Sequence, residues 1–309
     1  MTDIVTLTLN PTIDAAYAVD KVLHTHKIRA DSEHYDPGGG GINVARVFVR
    51  LGGNARCCYL SGGATGHALD GLLDLHQLVR DRIAIRGETR ICTTVFERES
   101  GKEYRFIPSG PAVAPGEWQE CLDRLAEATC SFLVASGSLP PGVPEDFYGR
   151  VAAICARRGI KFVLDSSGAG LRGGLAGGSI FLVKPSLDEL RQLGGESLES
   201  PEAIAAAAMA IVERGQAEFV AVTMGHEGAL LARREGTLCL PSLDIEAKSA
   251  VGAGDSFLSA MVFALSSGCD PVEAFRYGIA AGAAALLNPG TNLSQPADIA
   301  RFYPMIAKA

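Results

Sequence analysis

Asp255 has the setting most suggestive of chemistry. It follows Val251-Gly252-Ala253-Gly254 and precedes Phe257, Leu258, Met261, Val262 and Leu265, apolar residues spaced for one face of a helix. Three small residues at a helix start leave main-chain N–H groups free to form an anion hole. Two roles stay open for Asp255: a carboxylate placed favourably at the positive end of a helix, or a general base beside an anion hole that holds a transferring phosphoryl group. A second run, Gly38-Gly39-Gly40-Gly41, opens another helix, and four successive glycines let a backbone approach a ligand closely. One turn inside that helix, Asn43 can aim an amide at ligand hydroxyls.

Competing chemistries lack their motifs. The Gly101-Lys102 pair is followed by Glu103, without the Ser or Thr of a Walker A loop. Ser61-Gly62-Gly63-Ala64-Thr65-Gly66 is a poor match to a dinucleotide fingerprint. No G-x-S-x-G elbow or H-E-x-x-H zinc helix occurs, and His24 and His26 read as surface residues.

Short β-rich runs at Ile4–Leu9, Ala55–Leu60, Phe132–Ala135, Lys161–Leu164, Ile180–Val183 and Phe219–Thr223 alternate with helical patterns, which predicts a mostly parallel sheet covered on both faces. Helices are expected near 41–51, 64–75, 115–128, 145–158, 186–193, 201–214, 253–267 and 271–287. Segments 15–35 and 90–106 break the alternation and read as strand pairs forming a small antiparallel sheet, which should cover a ligand cleft or a partner's sheet.

The 309 residues suffice for a full core, and 28 Lys+Arg against 35 Asp+Glu give a net charge of −7, which disfavours nucleic acids and anionic membranes as partners. Eight cysteines form no C-x-x-C pair and read as reduced thiols of a cytoplasmic protein, an expectation shared by the lack of a signal-peptide pattern and of any membrane-length apolar run.

The ordered motifs TLNPTID, GGGGINVAR, SGSLPPG, LVKP and VGAGDS, spread from about residue 4 to 302, closely resemble the ribokinase-like PfkB family of carbohydrate kinases. The resemblance implies a three-layer αβα fold with a β-sheet lid, forming one kinase domain over 1–309 that dimerises through the lid. It implies phosphoryl transfer from ATP with Mg²⁺. The chain is most similar to the branch that phosphorylates the 1-hydroxyl of fructose 6-phosphate, because the 1-phosphofructokinases and tagatose-6-phosphate kinases usually carry Lys where Gly40 stands. Those two specificities, and a catalytically silent sugar-phosphate-binding protein, are the alternatives.

Residue by residue, the resemblance makes Asp255 the base and Gly252, Ala253 and Gly254 the anion hole. It sets Asp14, Gly39 and Asn43 at the sugar hydroxyls, and Lys27, Arg90 and Ser138 at the sugar's phosphate, with Arg29 joining across a dimer. Lys184, Ser186, Thr223, Gly225 and Gly228 fall in ATP-contacting regions. Glu189 falls at the acidic end of an N-x-x-E motif tied to magnesium and its waters. Ser186 departs from the Asn of that motif and Ala250 from a common Thr, so an altered magnesium dependence is expected. Asn288 and Gly290 fall where family members bind K⁺, a helix C-cap being the equal alternative for this loop.

Overall fold

Continuous apolar runs need cover on both faces of a sheet. The computed structural model, which describes residues 4–194, 198–288 and 292–306, gives them that cover. Its large sheet contains β1 (Ile4–Thr8), β4 (Ala55–Ser61), β5 (Val79–Ala84), β8 (Phe132–Ser136), β9 (Lys161–Asp165), β10 (Ile180–Val183), β11 (Ala217–Thr223), β12 (Ala229–Arg233) and β13 (Gly236–Leu240). They lie in the order β13-β12-β11-β10-β9-β8-β1-β4-β5. Only β12 runs against its neighbours.

Alternate residues of the central strands enter two separate cores: Leu133 and Ala135 join one, Phe132 and Val134 the other. On the first face, α3 (Pro115–Glu127), α4 (Phe147–Arg158), α5 (Gly168–Gly177), α6 (Leu187–Gly194) and α7 (Pro201–Glu213) pack around Phe147, Tyr148 and Phe162. On the second, α1 (Gly40–Arg50), α2 (Gly63–Leu75), α8 (Ala253–Ser266), α9 (Pro271–Leu286) and α10 (Pro296–Ile306) pack around Ile42, Phe48 and Phe275. Each fully buried Phe contributes about 1.5–3 kcal/mol relative to exposure. The expected three-layer arrangement is borne out.

The small sheet combines β2 (Thr12–Val19), β3 (Ser32–Gly38), β6 (Arg90–Glu97) and β7 (Lys102–Phe106) in the order β3-β2-β6-β7. Its two hairpins are antiparallel, but β2 and β6 pair in parallel, Thr12 opposite Arg90 through Val19 opposite Glu97. The expected wholly antiparallel sheet is corrected in this respect. Both hairpins leave from the same end of the large sheet, β2 just after β1 and β6 just after β5, so their outgoing strands must run the same way.

The helix α5 is absent from the sequence expectation because five glycines in Gly168–Gly177 argue against a helix. Two are there for close packing: a Cβ on Gly173 would collide with the Glu145 carbonyl, and one on Gly177 would lie 2.6 Å from the Cα of Gly149 in α4.

Chain order reverses beside β1, since the chain goes first to β4 and β5 and only later returns to β8 on the other side. In open α/β sheets such a switch point, at the carboxyl ends of the strands, makes a crevice for ligands. Asn10, Ser136, Asp165 and Lys184 all stand at that end.

Candidate active site

Two helix starts meet at the switch point. Gly39, at φ 109°, caps α1 in a backbone conformation that L side chains rarely adopt. A Cβ on its neighbours would strike protein atoms: Gly38 would meet the Asp14 carboxylate, Gly40 the Ser136 hydroxyl, and Gly41 the Leu7 carbonyl at 2.5 Å. The bare backbone thus makes room for Asp14 and Ser136 as well as for a ligand. Gly252, left-handed at φ 74°, caps α8, and the Gly254-Asp255 turn follows. Of the expected anion-hole amides, that of Ala253 donates at 3.4 Å to the Ala250 carbonyl.

Asp255 is reached from both sides. Asn43 Nδ2 donates to its Oδ2 at 2.9 Å, and Ser136 Oγ lies 3.5 Å from its Oδ1 and 3.4 Å from Asp165 Oδ2. Burial, then the nearby Asp165 charge, push the Asp255 carboxyl up to about 6, against the opposing Asn43 hydrogen bond and Lys184. That value suits a general base at neutral pH. Asp14, on the lid strand β2, is likewise pushed up to about 6, by burial and Asp36, while Arg46, Arg90 and Arg105 oppose the rise.

Lys184 is buried, its Nζ 3.1 Å from Asp165 Oδ1. Burial acts to lower its pKa, but Asp165, Glu189 and Asp255 together hold it above the ordinary lysine value. Its ammonium points toward the first turn of α8, 3.5 Å from where a Cβ on Gly254 would lie. An ammonium beside a helix N-terminus is a setting for an anion.

The expected nucleotide residues Thr223, Gly225 and Gly228 line a cavity of about 700 Å³ that also touches Phe257, Ala283 and Gly254, so it opens onto the same helix start. A second cavity of about 710 Å³, at the amino ends of β9–β11 around Lys161 and Phe181, contains none of these residues. Ser186 and Glu189 form a reciprocal cap on α6: Ser186 N–H donates to Glu189 Oε2 at 2.8 Å, and Glu189 N–H to Ser186 Oγ at 3.3 Å. This gives Ser a physical reason to stand where the motif has Asn.

Arg90 lies at the lid base, where Nη1 and Nη2 donate to the Pro108 and Asn10 carbonyls at 2.9 and 2.8 Å. Its buried Nε has no hydrogen-bond partner among the described residues. Ser138 is 3.4 Å from Asn10 Nδ2. Lys27 and Arg29 are exposed in the loop between β2 and β3, and the structure does not bring them to the other site residues within one chain. Asn288 Nδ2 donates to the Ala284 and Leu293 carbonyls at 3.3 and 3.0 Å, bracing the end of α9; Gly290 lies outside the described residues.

Asp165, Ser136, Arg105 and the Asp36–Arg46 pair are additions from the structure. Asp165 directly follows an apolar strand and Arg46 closes the GGGGINVAR run, so each carried a signal in position alone.

Residues 1–298 match the pfkB family carbohydrate kinase domain. The chain belongs to the pfkB family of carbohydrate kinases. Membership implies a nucleoside triphosphate donor and a divalent metal. The chain is 44% identical over 99% of its length to the ATP-dependent 6-phosphofructokinase isozyme 2 of Mycobacterium tuberculosis, of which the match covers 90%. It is similar throughout to Escherichia coli phosphofructokinase-2. The structure of that enzyme with potassium gives a TM-score of 0.95 at 37% identity, and that with fructose-6-phosphate gives 0.93 at 35%. Each covers 99% of this chain and 100% of the other. A more distant relative is the 1-phosphofructokinase of Borreliella burgdorferi, 29% identical over 98% of this chain and 97% of its own. As a pfkB kinase the chain must hold a sugar and a triphosphate together. Among the described residues no helix is long and apolar enough to cross a membrane.

Proposed function

We propose that the chain transfers the γ-phosphoryl group of ATP to the 1-hydroxyl of fructose 6-phosphate, giving fructose 1,6-bisphosphate and ADP. One observation carries the reading: Asp255 stands in the first turn of α8, is hydrogen-bonded by Asn43 from the first turns of α1, and has its carboxyl raised to about 6. Asp255 takes the proton of the attacking hydroxyl as its oxygen bonds to the γ-phosphorus and the bond to ADP breaks. The α8 helix start and Lys184 stabilise the charge on the transferring oxygens. Ser136 lies between the two carboxylates and limits where the hydroxyl can sit.

The choice of a phosphorylated sugar is supported by the cationic surroundings of Asp14, which include Arg90 and Arg105. The choice of fructose 6-phosphate is supported by the likeness to the two 6-phosphofructokinases. kcat/KM is expected to be at least about 10-fold higher for fructose 6-phosphate than for fructose 1-phosphate or tagatose 6-phosphate. A preference for either competitor would overturn the assignment.

Mg²⁺, when bound, would neutralise charge on the ATP phosphates. Among the described residues no three His, Cys, Asp or Glu side chains form a metal cluster, which fits an ion held mainly by phosphates and water, with Glu189 as the acidic group on this side. A K⁺ expectation rests on the likeness to the potassium-bound E. coli enzyme, since Asn288 itself serves as a brace.

The lid face opposite Asp14 carries Tyr17, Tyr35, Ile91, Val95, Tyr104 and Phe106, and Tyr35 and Phe106 are 43% and 61% exposed. We read this face as the seat of a second copy, which would bring a partner's loop of Lys27 and Arg29 near the site. Light scattering is expected to show a dimer at micromolar concentration that Phe106→Glu converts to monomer. A monomeric parent protein would sink this reading. A reading with ATP and a sugar phosphate as substrates supports a cytoplasmic location.

A further inference from the structure

Arg46 and Asp36 are only 2% and 4% exposed, yet they form an ion pair at 2.9 Å between Arg46 Nη2 and Asp36 Oδ1. Taking two charges out of water is costly, and their attraction repays that cost only in part. Burial pulls the Arg46 pKa down, Asp36 pushes it back, and the buried Arg46 Nε has no hydrogen-bond partner among the described residues. An apolar pair would fill this space at lower cost, so the ion pair calls for a role.

Its geometry supplies one. Asn43 and Arg46 are three residues apart on α1 and share a side of the helix. Arg46 Nη1 donates to Asn43 Oδ1 at 3.3 Å and to the Pro37 carbonyl at 3.1 Å. With its oxygen held by the guanidinium, Asn43 turns its NH₂ toward Asp255, 2.9 Å away. A reversed amide would set oxygen against carboxylate and NH₂ against guanidinium, two repulsive contacts in place of two attractive ones. We propose that Arg46, anchored by Asp36, is a positioning residue that fixes the Asn43 amide toward the carboxylate of Asp255.

The anchor lies near the end of lid strand β3, so the same pair joins the lid base to the catalytic base. Asp36 also faces His34 Nε2 at 3.1 Å and His76 Nε2 at 3.6 Å. The inference rests on Asp255 acting as the base.

The test is a double-mutant cycle run with whichever of the three sugar phosphates the parent enzyme uses best, so that a wrong substrate assignment does not affect it. Arg46→Lys keeps the charge but not the forked reach, and is expected to lower kcat/KM about 10- to 100-fold. In an Asn43→Ala background the same change is expected to cost less than about threefold more, because no amide is left to orient. Asp36→Asn should lose activity in the same direction, with the same loss of effect beside Ala at 43. Equal losses from both substitutions whether Asn or Ala stands at 43, or no loss from either, would overturn the proposal. A merely structural ion pair gives the first of those outcomes, with a lowered melting temperature. Asp255→Asn measured alongside tests the base assignment separately.

Discussion

Asp255→Asn is expected to lower kcat about 10³- to 10⁴-fold, to leave KM for the sugar phosphate within about threefold, and to raise the melting temperature. The first effect follows from removing the carboxylate that, on the proposed reading, accepts the hydroxyl proton; the amide keeps the shape and can still accept from Asn43. The third follows from linkage. The folded carboxyl titrates near 6 against an ordinary 3.8, so between those values the folded chain holds a proton that the unfolded chain has lost. Stability therefore falls as pH rises through that window. A shift of this size corresponds to a cost of up to about 3 kcal/mol at neutral pH. Asn carries no charge to bury, and a gain of about 2–4 °C is expected at pH 7.5 but not at pH 4. In the parent enzyme kcat/KM should fall below about pH 6, more steeply than for one proton because Asp14 titrates in the same range. Turnover within tenfold of the parent in Asp255→Asn would refute the assignment of the base.

Lys184→Met should be nearly as damaging to activity, for a different reason. It removes the ammonium beside the α8 helix start, with an expected loss of about 10²- to 10³-fold in kcat, and it leaves the Asp165 carboxylate buried without its cation. Breaking a buried pair from one side costs about 3–5 kcal/mol. Burial already raises Asp165, with Lys184 as the chief opposing influence, so without the lysine Asp165 will hold its proton to higher pH. The variant should accordingly be least impaired in stability at about pH 4, near the ordinary carboxyl value, and lose stability as pH rises from there. Adding Asp165→Asn should restore most of the melting temperature and none of the turnover. A double variant as unstable as Lys184→Met alone would show that the pair does not act this way.

The two helix starts were legible because glycine runs followed by apolar spacing have few other uses. What the glycines face was not, since contacts between Gly38 and Asp14 or between Gly40 and Ser136 join residues far apart in the chain. Helix α5 was hidden for a related reason: its glycines oppose a helix locally and serve contacts with α4. Ser186 read as a departure from a metal motif, whereas in the fold it caps α6 with Glu189. Arg90 is expected at the sugar's phosphate, and what the sequence did not show is that its two terminal nitrogens also hold carbonyls of the lid base. The resemblance sets Lys27 at the sugar's phosphate with Arg29 joining across a dimer, whereas among the described residues their loop reaches no other site residue of its own chain, a distance that no local pattern records. The parallel pairing of β2 with β6 depends on where both hairpins leave the large sheet, which no local pattern records.

That pairing also sets the mechanics of the lid. Eight residues of β2 run beside eight of β6, and both strands begin where the chain leaves the core, so the sheet is a stiff plate joined along one short side. At roughly 3.3 Å per residue the plate is about 26 Å long, and a tilt of about 10° moves its far edge by about 5 Å but its root by a small fraction of that. Asp14 sits near the root and the loop of Lys27 and Arg29 at the far edge. Were the lid to tilt, its fulcrum would lie next to the chemistry, and the mouth would open while the carboxylates at its base stayed in register.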